Sequence, residues 1–160
     1  MDDAFLQCFA GQIGSLGIDG FFDQLVAPRM VSRNFLTVAE ASETSCGGVH
    51  PNTSIVYRTF DRQTGKPVDL HDWIGAPLAP DEARVLPTDL REAVLARWPD
   101  DRGVDEGAEE CREAVASQDY WMLELTLDGI SFTPDLPRVA MACGESVLLT
   151  PAKQDGAEAH

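Results

Sequence analysis

The sequence is poor in basic residues and has no long apolar run. Lysine and arginine number 12 against 27 aspartate and glutamate residues, which gives a formal net charge of −15. This balance argues against nucleic acid and anionic lipid surfaces as partners, because both attract Lys and Arg. It favours a cationic partner or simply high solubility. No segment reaches the roughly 18 consecutive apolar residues that suggest a membrane-spanning helix.

The sequence also lacks the motifs of common catalytic sites. There is no GxSxG elbow, phosphate-binding loop, HExxH or GxGxxG pattern, and no cysteine or histidine cluster at zinc spacing. A thiolate–imidazole pair of Cys46 and His50 is conceivable, but on a Gly-Gly turn we favour half a disulfide and a structural imidazole. We therefore predict a non-enzymatic protein with no catalytic residue, no metal ligand and no cofactor.

The four cysteines, Cys8, Cys46, Cys111 and Cys143, are widely spaced and form no CxxC motif. An even number at such spacing is typical of two disulfides in an oxidising compartment, although four buried thiols in a cytosolic protein are the alternative. The four cysteines can pair in three ways, and we predict the arrangement with the disulfides Cys8–Cys46 and Cys111–Cys143. We accordingly expect a periplasmic or otherwise extracytoplasmic location. The acidic start of the chain lacks the basic residues of a signal peptide, so we expect any signal or anchor to be absent from this sequence.

Alternating apolar residues and turn signals predict mostly short strands. Strands are expected at 30–43, Thr53–Phe60, Lys66–Leu70, Tyr120–Leu127, Ile130–Thr133, Val139–Cys143 and Ser146–Thr150. Helices are expected at Asp3–Gln12, Phe21–Val26, Thr88–Trp98 (with Thr88 as its cap) and Glu109–Ser117, and a short helix or a turn is expected to start at His71–Ile74. The predicted fold class is α+β, mainly an antiparallel sheet of short strands packed with one or two helices. It forms a single domain over 1–160 with a frayed tail at 154–160.

Five residues are candidates for a binding surface. His50 and Asn52 lie in the turn Cys46-Gly47-Gly48-Val49-His50-Pro51-Asn52, where the glycines and the proline restrict the backbone. Tyr120 and Trp121 are neighbours in a predicted strand, so they point to opposite faces and one of them should be exposed. Trp73 is the remaining aromatic candidate. Exposed aromatic rings suit a protein or sugar interface, whereas burial in the core is the alternative for each.

Three segments together resemble a known family. They are Gly47-Gly48-Val49-His50, Asp61-Arg62-Gln63-Thr64-Gly65-Lys66 and Leu70-His71-Asp72-Trp73-Ile74, followed by a hairpin at Leu123–Phe132. Their order resembles the RsiV-like domain of unknown function, which forms the C-terminal part of a lysozyme-sensing anti-sigma factor and accompanies some peptidoglycan deacetylase domains. The resemblance covers about residues 30–150, with 1–29 as an N-terminal extension. The family's usual Gly-Gly-Ala-His-Gly is here Gly-Gly-Val-His-Pro.

The resemblance implies an extracytoplasmic α+β binding domain and offers no catalytic residues. We expect its partner to be a cationic cell-wall hydrolase, such as a lysozyme-like enzyme, which the domain inhibits as a protective or immunity protein. The acidic charge would attract such a partner. The alternatives are a module that binds peptidoglycan or another glycan, and an enzyme with an unrecognised site. The sequence does not indicate an oligomeric state.

Overall fold

The structure, a computed structural model, describes residues 21–45, 51–79, 83–98 and 106–150. Over these residues the chain forms two antiparallel sheets and three helices, which confirms the predicted α+β class. The first sheet contains four strands in chain order: β1 (Phe21–Val31), β2 (Phe35–Ser45), β3 (Asn52–Asp61) and β4 (Pro67–Val68). The second contains β5 (Trp121–Leu125), β6 (Ile130–Pro134) and β7 (Val147–Leu149).

The first strand corrects one prediction. The segment Phe21–Val26, predicted as a short helix ending before Pro28, belongs to β1. Its residues pair with β2 from Phe21 opposite Ser45 onward, and the register shifts between Pro28 and Met30. The backbone of this segment is satisfied by a neighbour that is distant in sequence, and tertiary pairing of this kind overrides a weak local helical pattern.

The turn between β3 and β4 forms as its sequence predicts. The Asp61 side chain accepts hydrogen bonds from the backbone N–H groups of Gln63 and Thr64, at 2.8 and 2.9 Å. Gly65 follows with a φ of 68°, the left-handed conformation that glycine adopts without strain. These hydrogen bonds stabilise the carboxylate, so the pKa of Asp61 is lowered.

Three helices follow: α1 (Leu70–Trp73), α2 (Thr88–Leu95) and α3 (Glu106–Ala116). The Asp69 side chain caps α1 by accepting the N–H of His71 at 2.9 Å. The predicted cap of α2 is wrong, because Pro87 occupies the cap position without a side-chain hydrogen bond and Thr88 is the first helical residue. A proline here costs no helical hydrogen bond, because the first N–H groups of a helix have no partner within it.

The second sheet begins with the predicted hairpin. The N–H of Thr126 donates to the carbonyl of Gly129 at 2.8 Å, which closes the turn between β5 and β6. Gly129 has a φ of 156°, and a Cβ placed on it would lie 2.0 Å from the carbonyl oxygen of Leu149. Only glycine therefore lets β7 approach β6 this closely.

The predicted strand Val139–Cys143 is wrong, since Arg138–Cys143 forms a 3-10 helix. It starts directly after Pro137, whose carbonyl accepts the N–H of Ala140 at 2.8 Å. Its last residue, Cys143, is joined by a disulfide to Cys111 of α3, with a Cα–Cα distance of 5.1 Å. This is the pairing predicted for these two cysteines, whereas Cys8 and Cys46 lie outside the described residues. A strand here would lose the short-range turn that brings Cys143 to α3.

The core lies between the second sheet and the helices. Its fully buried side chains include Phe132, Val94 and Val115, and Trp98, three residues beyond the end of α2, joins them. In the first sheet, the hydroxyls of Thr37 and Thr59 lie 3.1 Å apart and satisfy each other in a buried position. Within the described part of the chain, no helix is long and apolar enough to cross a membrane.

Candidate functional site

A groove runs between β3 and the far end of the second sheet. It encloses about 570 Å³. Most of its wall is apolar and comes from β3, β5, the end of β6, the segment after it and the 3-10 helix: Ile55, Tyr57, Met122, Pro134, Leu136 and Met141. Ile55 and Met141 are largely exposed, so apolar surface here faces solvent. Pockets of this kind, apolar with a few polar groups at the rim, are the usual form of a ligand site.

The rim of the groove is polar. Asn52 lies at the start of β3 opposite Thr44 and is exposed. The hydroxyls of Thr133 and Ser146 are hydrogen-bonded to each other at 2.6 Å. The Asp135 carboxylate is exposed at the rim and forms no ion pair with any described residue. Among the side chains that the structure describes, the groove therefore places the Asp135 carboxylate beside apolar surface without a counter-charge.

An ion pair ties the two sheets together close to the groove. Arg29 Nε of β1 donates to Glu124 Oε1 of β5 at 2.9 Å, and the Glu124 side chain is nearly buried. This charge-assisted hydrogen bond raises the pKa of Arg29. Burial raises the pKa of the nearby Tyr57, the Glu124 carboxylate adds to the rise, and Arg29 opposes it. Tyr57, which forms part of the groove wall, therefore stays protonated to a higher pH than an exposed tyrosine.

A second cleft of about 620 Å³ lies further along β3, against β5 and α1. Its histidine, His71, is held in place: Nδ1 lies 3.3 Å from the Asp69 carboxylate and Nε2 lies 3.4 Å from the carbonyl oxygen of Trp121. Arg84 donates to Asp72 at 2.6 Å and so braces the same helix. These contacts give His71 a structural role, joining α1 to β5. No group of three metal-binding side chains occurs among the described residues.

One end of the first sheet carries exposed apolar and acidic side chains. The far ends of β1, β2 and β3 carry exposed apolar side chains, and Leu25 is 66% and Ile55 48% exposed. Asp23 of β1 lies directly opposite Glu43 of β2. Like charges at directly opposed positions repel each other. We call this surface the acidic arm, defined by Asp23, Leu25, Ala41, Glu43 and Ile55, which together line one shallow depression.

The predicted site residues are scattered in the structure. Asn52 lies in the groove, whereas Trp73 lies on α1, outside both clefts, where it is 52% exposed. Tyr120 is half-buried. The prediction for Trp121 as a contact residue is wrong, because the side chain is only 4% exposed and its indole Nε1 donates to the carbonyl of Gln118 at 3.2 Å. His50 lies outside the described residues.

Trp73 packs edge-on against Phe35, with ring centroids 5.2 Å apart and planes at 74°. This contact supports an exposed aromatic surface away from the groove. Sequence reasoning missed the other residues of the groove, although the alternation of Ile55 and Tyr57 along β3 carried a signal. No sequence signal indicated that Met122, Leu136 and Met141 line the groove, because three separate elements bring them there.

The comparisons with known proteins show a fold likeness. No family model matches the sequence, and no curated protein does. The structure is similar to the crystal structure of a DUF3298 family protein from Pseudomonas aeruginosa, with a TM-score of 0.50 and 15% sequence identity. The likeness covers 82% of this chain and 57% of that chain, so the present chain spans little more than half the length of its structural neighbour. At this identity the likeness concerns the fold.

Proposed function

We propose that the protein is a non-enzymatic, extracytoplasmic binding domain whose partner is a cationic cell-wall hydrolase of the lysozyme-like type, which it inhibits as a protective or immunity protein. The observation that carries this proposal is the acidic arm with the groove beside it, on a chain of net charge −15. The RsiV-like sequence resemblance and the fold likeness to a DUF3298 family protein are consistent with it. The disulfide between Cys111 and Cys143 fits an oxidising compartment.

The charges favour a cationic partner for a specific reason. Asp23 and Glu43 are opposed on the arm, and neither forms an ion pair within the described residues. A Lys or Arg placed between them would relieve their mutual repulsion and gain attraction from both. Leu25 and Ile55 beside them supply apolar area that a partner can cover. Long-range attraction by the net charge would speed the encounter at low salt.

Calorimetric titration of the protein with a panel of cationic lysozymes and amidases tests the proposal. We expect binding that weakens as salt rises, together with loss of hydrolase activity on cell-wall substrate. The variant D23N/E43Q should bind at least about tenfold more weakly, since it removes two charges at the surface of contact. The matched control E92Q/E113Q removes two exposed carboxylates from α2 and α3 and should bind nearly as the unchanged protein does. Absence of binding across the panel at low salt would refute the proposal.

A second candidate function is glycan binding at Trp73. The exposed ring braced against Phe35 offers the flat apolar surface on which sugar rings stack. Sedimentation with purified sacculi distinguishes this function, because stacking persists at salt concentrations that screen charge attraction. Glycan binding should disappear in W73A, whereas binding of a hydrolase at the acidic arm should remain. If W73A and the unchanged protein sediment alike, Trp73 is not a sugar site.

A further inference from the structure

Along the groove, the edge of β3 forms no backbone hydrogen bond with any other described residue, and we propose that a cationic partner binds there by adding an extended segment as a new strand. This deepens the proposed function and rests on it for the charge of the partner. The added segment pairs its backbone with β3 and directs alternate side chains into the groove.

The register shows which groups of β3 point outward. The N–H of Arg62 donates to the carbonyl of Asn34 at 2.8 Å, just beyond the pairing of Asp61 with Phe35. The register between β2 and β3 is constant, and hydrogen-bonded pairs recur every second residue in an antiparallel ladder. Even-numbered residues of β3 therefore bond to β2. Thr53, Ile55 and Tyr57 direct their N–H and C=O groups away from it.

The pairing of β3 with β4 also shows that the odd-numbered residues of β3 direct their backbone groups away from β2. Asp61 donates its N–H to the carbonyl of Lys66 at 2.9 Å, so an odd-numbered residue faces β4. β4 pairs only with Thr59 and Phe60. Between Thr53 and Tyr57, no backbone hydrogen bond on this edge joins β3 to any other described residue. Three donors and three acceptors are thus presented in a row about 14 Å long, at the usual rise per residue of a strand.

Two other edge strands, β1 and β5, are obstructed in ways that this edge is not. The opposite edge strand, β1, contains Pro28 and a register shift next to it. On β5, the carbonyl of Trp121 lies 3.4 Å from His71 Nε2. Prolines, bulges and side-chain cover are the usual means by which proteins prevent unwanted strand pairing. The segment Thr53–Tyr57 contains no proline, charge or bulge, so this edge remains competent to pair.

The groove sets the composition of the added segment. Ile55 and Tyr57 share a face of β3 with the buried Thr59, so the groove lies on that face. Side chains of an added strand that point to this face would contact Met122 and Met141, and should be apolar. The Asp135 carboxylate and the acidic arm favour Lys or Arg among them. The occupant is therefore an extended segment of a partner protein with alternating apolar residues and interspersed basic residues.

Residue-resolved amide hydrogen exchange on the full chain tests this mode of binding. The probe is an acetylated and amidated peptide in which valine alternates with lysine and threonine. In the free protein, the amides of Thr53, Ile55 and Tyr57 should exchange fast, while those of Ser54 and Val56 are protected by β2. With the peptide bound, the three outward amides should slow by at least about tenfold, which restores protection along the whole strand.

Two modified reagents locate the hydrogen bonds. The same peptide with N-methylated backbone amides keeps its charge and side chains but cannot pair, and should bind at least about tenfold more weakly. I55P removes one outward donor and leaves the ladder to β2 intact, so it should weaken binding in the same way; I55V is its matched control. Should I55P not fold, the N-methylated peptide still gives a decisive answer.

Each outcome has a definite meaning. Equal affinity of the two peptides, or binding without protection of the outward amides, overturns strand addition. If the outward amides are already protected in the free protein, another part of the chain occupies the edge. If sedimentation shows a dimer that the peptide does not dissociate, a second copy occupies the edge. Either result also overturns strand addition by a partner. If the hydrolases of the panel bind without protecting these amides, the proposed function stands and strand addition fails. If the peptide adds as a strand but no hydrolase binds, only the proposed function fails.

Discussion

Opening the disulfide between Cys111 and Cys143 should lower the free energy of unfolding by several kcal/mol. The bond closes a loop with a sequence separation of 32, for which the chain-entropy relation gives about 3.7 kcal/mol at 25 °C. Both cysteines belong to the hydrophobic core, so the sulfur atoms stay buried whether or not they are bonded. The loss on reduction therefore reports the cross-link and not a cavity.

The measurement needs a protein in which no other disulfide can form. In C8S/C46S, only Cys111 and Cys143 can pair, so urea unfolding with and without reductant compares the same chain in two states. The control with all four cysteines replaced by serine should show no effect of reductant. A difference below about 1 kcal/mol between oxidised and reduced C8S/C46S would refute the entropic argument, which predicts a much larger effect.

The same reduction should affect binding before the protein unfolds. Met141 lies two residues before Cys143 and forms part of the groove wall. Without the bond to α3, the 3-10 helix loses its covalent anchor and is held by non-covalent contacts, among them the hydrogen bond from Gly144 N–H to the Met141 carbonyl, at 3.0 Å. We expect the reduced protein to bind the valine–lysine peptide more weakly at a urea concentration where it remains folded. Unchanged affinity would show that the 3-10 helix holds its position without the disulfide.

Three further changes have definite expected outcomes. G129A should destabilise the protein by about 2–3 kcal/mol, because the added Cβ meets the Leu149 carbonyl. G65A should destabilise it by about 1 kcal/mol from its positive φ alone, because no atom lies within 4 Å of the added Cβ. Chemical denaturation of both variants measures the two effects. The pKa of Tyr57 is raised in the folded protein, so the stability that it contributes is fully present below the unfolded pKa of about 10 and is lost as pH rises through the folded pKa. The free energy of unfolding of Y57F should therefore fall less at alkaline pH than that of the unchanged protein. The pKa of Asp61 is lowered, so its contribution is present above the unfolded value of about 4 and is lost as pH falls; D61A should flatten the acid limb of the stability curve.

The elements that the sequence predicted well carry strong local signals. β3 is rich in β-branched and aromatic residues, and the β3–β4 turn has an Asp that accepts backbone hydrogen bonds and a glycine at positive φ. β1 and the 3-10 helix were predicted wrongly because long-range contacts determine them. β1 depends on pairing with β2, and the 3-10 helix ends at a cysteine bonded to α3. The pattern of residues within each segment does not show the local conformation that these distant contacts impose, even where the disulfide itself was predicted.

The candidate site was predictable only in part, for the same reason. Asn52 was identified from its turn, and the structure places it at the rim of the groove. Trp121 was a candidate because neighbouring strand residues face opposite sides, but the sequence does not say which side is covered. The ion pair between Arg29 and Glu124 joins residues 95 positions apart in the chain, and nothing in the sequence pairs this arginine with one of 27 acidic residues.

An open strand edge beside exposed apolar side chains is ordinarily a hazard, because two copies can pair through it. Here each copy carries a net charge of −15, and the opposed carboxylates of Asp23 and Glu43 lie on the arm next to the edge. Two copies brought edge to edge would repel each other, whereas a cationic segment would be attracted. On the proposed function, we therefore expect the charge to disfavour self-pairing and to favour a cationic partner. D23N/E43Q should then associate with itself more readily in sedimentation while it binds the cationic peptide more weakly, and a variant that changed only one of these properties would contradict the link.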